Sequence, residues 1–429
     1  MNSRERIIAA LNHQPTDRLP IDFGGTVLSG AHVSVIAQLR QKLGLSLGPV
    51  KVSEPAQMLG EVDVELADAV MSDVVFLPGP TNIFGFEQDK WKPWRTFDGT
   101  DVLVPEKFNT ELAEDGSVLM YAQGDKSYPA SAKMPKGGFY FDAIIRQKPI
   151  IESELKAGDN LEEFTLLDHE ILAKWQKNAE SLFSNTDRAI STGFPGTAFG
   201  DVFLVPAPFL KDPKGIRDVE EWYISTVTRQ DLIKEIFDRQ AEIAVENLKL
   251  LYQAVGEKVQ VVLICGTDLA AQESLFCSPQ TYEELYAPYH KRLNDWIHQN
   301  TGWKTMKHCC GACEPFIGSF IKAGFDVLNP VQCSARGMDP DMLVDKYGDD
   351  IVFWGGGVDT QKTLPFGTPE EVYEQVRQRI DIFSRKNGFV FNSIHNIQCK
   401  TPIDNVLAMF RATHDSHQCR NQRENFGRN

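Results

Sequence analysis

Short apolar segments alternate with longer helical segments along most of the chain, and this alternation constrains the fold strongly. Helical spacing is clear between Ala31 and Leu43, where Val33, Ile36 and Leu39 recur on one face. Strands separated by helices of about 10–20 residues form βαβ units with a parallel sheet. Eight apolar segments predict strands, centred near Ile21, Val75, Ile190, Val261, Thr305, Val327, Val352 and Val390.

Eight such units predict an α/β fold of the (β/α)8 TIM-barrel type. The alternative is an open doubly wound sheet, but no Gly-x-Gly-x-x-Gly sequence follows the first strand. Residues 80–150 have a different sequence pattern, in which short segments of alternating apolar and polar residues lie between Asp-Gly and Gly-Gly turns. We therefore predict one barrel domain over 1–429, with a β-rich insertion at 80–150 after the second strand. The polar tail, 418–429, is expected to fray.

Catalytic groups of such barrels lie just after the strands, on one rim. This rule gathers polar residues from all parts of the chain: Asp22, Asp268, His308, Cys310, Asn329, Gln332, Asp359 and His395. Asp268 and Asp359 are the candidate catalytic residues, with a helix cap and a tight turn as their structural alternatives. The candidates for substrate binding are Asp22, Asn329, Gln332 and, on the insertion, Tyr140.

A His and a Cys two residues apart end the predicted fifth strand, at His308 and Cys310. Residues i and i+2 of an extended segment point to the same side, so both side chains can reach one ion. Imidazole and thiolate are preferred zinc ligands, and a catalytic zinc has three protein ligands and one open position. The third ligand is expected after the last strand, at His395 or at the competing Cys399.

The composition excludes several classes of partner. The formal net charge of −15 argues against nucleic acid and anionic membrane surfaces. The N-terminal segment lacks the apolar core of a signal peptide, and no run reaches the roughly 18 apolar residues of a membrane helix. We therefore expect a cytoplasmic protein, whose eight Cys residues are reduced thiols or metal ligands.

Several motifs together resemble the uroporphyrinogen decarboxylase superfamily, and more specifically its corrinoid-dependent methyltransferases. These motifs span most of the chain, at 4–6, 15–20, 308–311, 329–332, 353–360 and 401–406. The resemblance implies a (β/α)8 barrel with zinc held by the His-x-Cys pair and a third ligand after the last strand. That third ligand is Cys in the coenzyme M methyltransferases, and the matching position here is His395, with Cys399 close by.

The resemblance also implies what the protein does. It points to a zinc-dependent enzyme that moves a methyl group between a small methyl ether, amine or thiol and a corrinoid (cobalamin). The chain lacks the Asp-x-His-x-x-Gly corrinoid motif, so the corrinoid is expected on a separate partner protein. The sequence does not decide the direction of methyl transfer. It also leaves the oligomeric state open, with a homodimer as one alternative.

Two other functions are weighed against methyl transfer. The decarboxylase itself is metal-free and needs an arginine-rich segment after the first strand to bind propionate groups. Residues 23–30 contain no Arg, so decarboxylation is the runner-up. A non-catalytic barrel stabilised by zinc is the second alternative, for which Cys313 or Cys399 would supply a fourth ligand.

Overall fold

Strands and helices alternate as the sequence predicts, and the computed structural model describes residues 1–426. The strands are β1 (Val50–Glu54), β2 (Leu59–Gly60), β3 (Val74–Phe76), β4 (Lys92–Arg95), β5 (Asp101–Val104), β6 (Thr110–Leu112), β7 (Val118–Met120), β8 (Ala132–Met134), β9 (Asp142–Ala143), β10 (Ala189–Gly193), β11 (Val261–Cys265), β12 (Lys304–His308), β13 (Val327–Asn329), β14 (Val352–Trp354) and β15 (Phe389–Val390).

The helices account for the amphipathic segments between the strands. They are α1 (Ser3–Leu11), α2 (Val33–Lys42), α3 (Val64–Ala69), α4 (His169–Asn185), α5 (Val219–Thr228), α6 (Gln230–Val255), α7 (Pro279–Leu285), α8 (Ala287–Asn300), α9 (Glu314–Lys322), α10 (Pro340–Tyr347), α11 (Thr363–Phe366), α12 (Pro369–Phe383) and α13 (Ile403–Phe426).

Seven strands form the barrel sheet, in the order β15-β14-β13-β12-β11-β10-β3, with every neighbouring pair parallel. Ile21 closes the ring between the two edges. It bridges Phe391 in parallel, and its carbonyl accepts the Asp73 N–H at 2.6 Å. Seven of the eight predicted strands form this sheet, and the first is present only as the bridge at Ile21. The fold is the predicted (β/α)8 barrel.

A buried ion network holds this short first strand in place. Asp73 is fully buried, and its carboxylate accepts from Arg6 at 2.7 Å and from Arg18 at 2.8 Å. The same carboxylate accepts the backbone N–H of Ile21 at 3.0 Å. The charged motif at the start of the chain therefore closes the barrel next to β3.

Two separate clusters of apolar side chains form because strand residues alternate between the two faces of the sheet. The larger cluster lies between the strands and the surrounding helices. The smaller one fills the barrel and includes Ile7, Ala10 and Leu11 of α1, so that α1 covers the end where the strands begin. The strand residues in this inner cluster are Val74, Ala189, Val261, Met306, Val327, Val352, Trp354 and Val390. The site must then form at the other end, where the strands stop.

The β-rich insertion consists of two small sheets, ordered β2-β1-β5-β4 and β6-β7-β8-β9. The first sheet includes β1 and β2, which precede β3, so residues before the predicted insertion contribute to it. A hydrogen bond of 3.1 Å between His32 Nε2 and the Phe139 carbonyl ties the insertion to the barrel. The single-domain assignment of 1–429 and the bounds 80–150 stay predictions.

The last helix, α13, extends to Phe426, and residues 427–429 lie outside the described residues. The predicted fraying of 418–429 therefore stays a prediction. Within the described part of the chain, no helix is both long enough and apolar enough to cross a bilayer.

Candidate metal centre

His308 is the last residue of β12 and is buried. Its Nδ1 lies 2.7 Å from the side-chain oxygen of Asn329, the last residue of β13. The Asn329 amide nitrogen donates to the Trp354 carbonyl at 2.9 Å, which assigns its oxygen to the side facing His308. Nδ1 must then carry the proton, and Nε2 keeps a free lone pair for a cation.

Cys310 and His395 complete the cluster that begins at His308. Cys310 Sγ lies 3.4 Å from His308 Nε2, and the rings of His308 and His395 lie 5.5 Å apart. Each residue offers one donor atom, and the three atoms lie within 4.8 Å of one another. Tetrahedral zinc places its ligand atoms about 3.5 Å apart, so this donor set fits a zinc ion after small side-chain movements.

The protonation of the three donors favours cation binding at the two rings. Burial lowers the pKa of His308 to about 4. The hydrogen bond to Asn329 raises this pKa, but by less than burial lowers it. Burial, followed by the neighbouring His308, lowers the pKa of His395 to about 4. Burial and the Asp268 carboxylate raise the pKa of Cys310. At neutral pH the site therefore holds two neutral imidazoles and a thiol, which a bound cation would convert to thiolate.

Cys399, the alternative third ligand, does not join this cluster. Its Sγ lies 3.3 Å from Ser34 Oγ and 3.5 Å from a carboxylate oxygen of Asp98, and burial raises its pKa to about 11. Of the two sequence candidates, His395 is therefore the one that the structure brings to His308 and Cys310.

Asp268 lies directly beside the three donors. Its carboxylate accepts the backbone N–H of Cys310 at 2.7 Å, and its carbonyl accepts the Tyr223 hydroxyl at 2.9 Å. Burial raises the pKa of Asp268, with the Cys310 N–H acting in the opposite direction. The helix-cap alternative does not apply, because Ser278 caps α7.

Asp22 is fully buried at the end of the first strand. Its two carboxylate oxygens accept from Gly25 N at 2.8 Å and from Trp354 Nε1 at 2.7 Å. Burial raises the pKa of Asp22 to about 6, and those two donors act against the rise. No described residue forms a salt bridge with it, and burial is the main cause of its raised pKa.

The other predicted site residues have less direct positions. Gln332 accepts from Gly311 N at 2.7 Å and donates to Gln272 at 2.6 Å, and so it shapes the loop after Cys310. Asp359 accepts from Gln361 N at 2.8 Å, as its tight-turn alternative requires. Tyr140 is 46% exposed on the insertion. The predicted roles remain untested: substrate contacts by Asp22, Asn329, Gln332 and Tyr140, and catalysis by Asp268 and Asp359.

Two residues near the site were missed by reasoning from the sequence. Lys307 is fully buried although it carries a charge, and Tyr223 donates its hydroxyl to the backbone of Asp268. A signal for Lys307 was present, because this lysine directly precedes the candidate ligand His308 at the end of a predicted buried strand. Nothing in the sequence around Tyr223 marks it.

The fold and the cluster together define a (β/α)8 barrel protein with three possible metal donors at the carboxyl ends of its strands. The family model "Uroporphyrinogen decarboxylase (URO-D)" matches residues 210–416. Over that segment, which is just under half of the chain, the sequence is similar to the uroporphyrinogen decarboxylase family.

Two proteins from Methanosarcina mazei are similar to this chain. One is described as a methylated-thiol–coenzyme M methyltransferase and is 25% identical over 215 residues. That match covers 49% of this chain and 51% of the relative, so the chain spans about half of the relative's length. The other is the structure of a methyltransferase with a TM-score of 0.53 at 14% identity, covering 97% of this chain and 99% of that one, and it shows the shared fold.

Proposed function

We propose that this protein is a zinc-dependent methyltransferase that moves a methyl group between a small methylated substrate and a corrinoid on a separate protein. The observation that carries the proposal is the convergence of His308, Cys310 and His395 at the ends of the barrel strands. Three protein donors leave one position of a tetrahedral zinc open, which is the arrangement of a catalytic site.

A bound zinc would supply Lewis-acid activation of the sulfur, oxygen or nitrogen atom that gains or loses the methyl group. The protein's own residues orient this chemistry. Asn329 fixes the ring of His308, and Asp268 fixes the backbone of Cys310. Because the Asp268 carboxylate lies beside the donors, it is the candidate group to accept a substrate proton.

The substrate class rests on the relatives. The relative with 25% identity is named for methylated thiols, which makes small thiols and their methyl thioethers the first compounds to test. Thiolate and zinc are well matched, since a thiol bound to the metal loses its proton readily. Methyl ethers and methylated amines follow, because the sequence leaves the direction of transfer undecided.

The corrinoid is proposed to arrive on a partner protein. The chain has no Asp-x-His-x-x-Gly motif, and its three donors lie at the end of the barrel opposite α1. A cytoplasmic location and an enzymatic role follow from the same proposal.

The competing functions are less well supported. Decarboxylation of a tetrapyrrole with eight carboxylates would need a cationic clamp, whereas residues 23–30 after the first strand contain no Arg. A structural zinc usually has four protein ligands. Among the described residues the cluster has three, and Cys399 is engaged with Ser34 and Asp98 instead.

The test follows the cobalt spectrum. The zinc-loaded protein is mixed with methylcobalamin and a panel of thiols, and with cob(I)alamin and a panel of methyl thioethers, ethers and amines. We expect zinc-dependent interconversion of the two cobalt forms, abolished by Cys310→Ala and retained by the control Cys399→Ala. Formation of coproporphyrinogen from uroporphyrinogen at a catalytic rate would overturn the proposal in favour of decarboxylation.

A further inference from the structure

Lys307 is a buried cation at the metal centre that the chemistry proposed above does not use. It lies between Met306, inside the barrel, and His308, and none of its surface is exposed. Its ammonium group lies 5.6 Å from the ring of Phe320 on α9, on the outer side of the sheet. It donates to the carbonyl oxygens of Thr267 at 2.6 Å and of His308 at 2.7 Å.

These two hydrogen bonds join the ends of neighbouring strands. Thr267 follows β11 and precedes Asp268, whereas His308 ends β12 and precedes Cys310 by two residues. A second bond joins the same two segments in the same direction, from Cys310 N to the Asp268 carboxylate at 2.7 Å. The segment that carries His308 and Cys310 is therefore tied to the Asp268 segment at two points.

We propose that Lys307 is a positioning residue of the metal centre, whose ammonium group fixes the backbone on which His308 and Cys310 are carried. This inference rests on the proposed zinc site. Residues that orient metal ligands from outside the coordination sphere typically contribute 10–100-fold to metal affinity.

Direct ion pairing does not account for a lysine at this position. Burying an ammonium group without a contacting carboxylate costs a large desolvation free energy, and two carbonyl oxygens offset only part of it. Among the described residues no acidic side chain forms an ion pair with Lys307, whose polar contacts are the two carbonyl oxygens. The positive charge is instead useful where a Cys310 thiolate and an anionic substrate would gather negative charge.

Lys307→Met separates a role in positioning the metal ligands from a role in folding stability, because methionine fills a similar volume without a charge or hydrogen-bond donors. Lys304→Met is the matched control, since Lys304 begins the same strand and contacts Asp326 at 3.1 Å at the opposite end of the barrel. Zinc affinity is measured by competition with a chromophoric chelator. Thermal unfolding of each zinc-free protein is recorded in parallel.

We expect Lys307→Met to bind zinc 10–100-fold more weakly than the wild type, while its zinc-free form unfolds at the same or a higher temperature. Lys304→Met should keep wild-type zinc affinity. Wild-type zinc affinity in Lys307→Met would overturn the inference. So would loss of zinc accompanied by a marked fall in unfolding temperature, because Lys307 would then serve folding.

Lys307→Gln gives a second reading if the methionine variant does not fold. Its amide keeps one donor group without the charge. A zinc affinity that is weaker than that of the wild type but still measurable supports the inference. Wild-type affinity in this variant overturns it. The failure of the proposed function looks different, since the wild type itself would then bind no zinc.

Discussion

At the scale of single residues, the three donors differ in their readiness to bind a cation. The pKa values of His308 and His395, lowered to about 4 by burial, leave both rings neutral at pH 7. The pKa of Cys310 is raised, first by burial and then by Asp268, so its thiol keeps its proton. Metal binding must therefore remove a proton from Cys310 and none from the rings.

We accordingly expect about one proton to be released per zinc bound at pH 7, and zinc affinity to rise about tenfold per pH unit while the thiol stays protonated. The sign follows from the raised pKa of Cys310, because the free protein holds a proton that the complex lacks. Isothermal titration calorimetry in buffers of different ionisation enthalpy measures the number of protons released per zinc bound. Release of no proton would show that Cys310 is not a ligand.

Single substitutions distinguish the donors from their neighbours. Cys310→Ala and His395→Ala should each lose most of the bound zinc, because a site with two protein ligands holds the metal weakly. Cys399→Ala should keep about one zinc per chain, since that thiol contacts Ser34 and Asp98. Metal analysis after gel filtration measures the zinc content per chain of each variant. Full zinc retention in His395→Ala would show that His395 is not a zinc ligand.

The sequence could predict part of this site and not the rest. The spacing of His308 and Cys310 at a strand end was sufficient, because alternation along a strand fixes their direction. The choice between His395 and Cys399 was not decidable, because it depends on the path of an irregular segment. Ile397 pairs with Ala31, and this pairing carries the chain toward α2 and places Cys399 beside Ser34.

At the scale of elements, the loop between β12 and α9 packs tightly against the loop after β11. Gly311 has a φ of +82°, and a Cβ atom there would lie 2.5 Å from the Ala270 carbonyl oxygen. The loop that carries Gly311 cannot move away freely, because Gly311 N donates a hydrogen bond to the Gln332 side chain. The glycine after Cys310 is therefore required by both its backbone conformation and its surroundings.

Gly311→Ala should lower the free energy of unfolding by about 1–3 kcal/mol and weaken zinc binding, because strain moves Cys310. Gly318→Ala, in the nearby helix α9, is the matched control. Its Cβ would meet no atom within 4 Å, and alanine should stabilise the helix by about 0.5–1 kcal/mol. Urea unfolding of both variants measures the difference. Equal effects at the two positions would contradict this account of the loop.

Element boundaries were predicted where periodicity is strong. Seven of the eight apolar segments coincide with the strands of the barrel sheet, and the first coincides with the bridge at Ile21. The insertion was recognised from its turns, but the contribution of β1 and β2 was not. Pairing between Val50 and Val102 joins segments far apart in the chain, and nothing local in either segment specifies that partner.

At the scale of the whole molecule, the barrel should fold without its metal. The donors lie at the ends of strands that are already held by an inner and an outer apolar cluster. A chelator should therefore leave the far-UV circular dichroism spectrum unchanged. The unfolding temperature should fall, because zinc at 1,000 times its Kd stabilises the native state by about 4 kcal/mol. Loss of the spectrum on chelation would favour the structural-zinc alternative.

The central claim is that His308, Cys310 and His395 hold a zinc ion with one position open, and X-ray absorption at the zinc edge tests it most directly. We predict one sulfur neighbour at about 2.3 Å and lighter neighbours at about 2.0–2.1 Å, two of them imidazole nitrogens. Addition of a substrate thiol should raise the sulfur count from one to two. Two sulfur neighbours before any thiol is added would contradict the assignment of His395, and four protein ligands with no response to thiol would contradict the catalytic site.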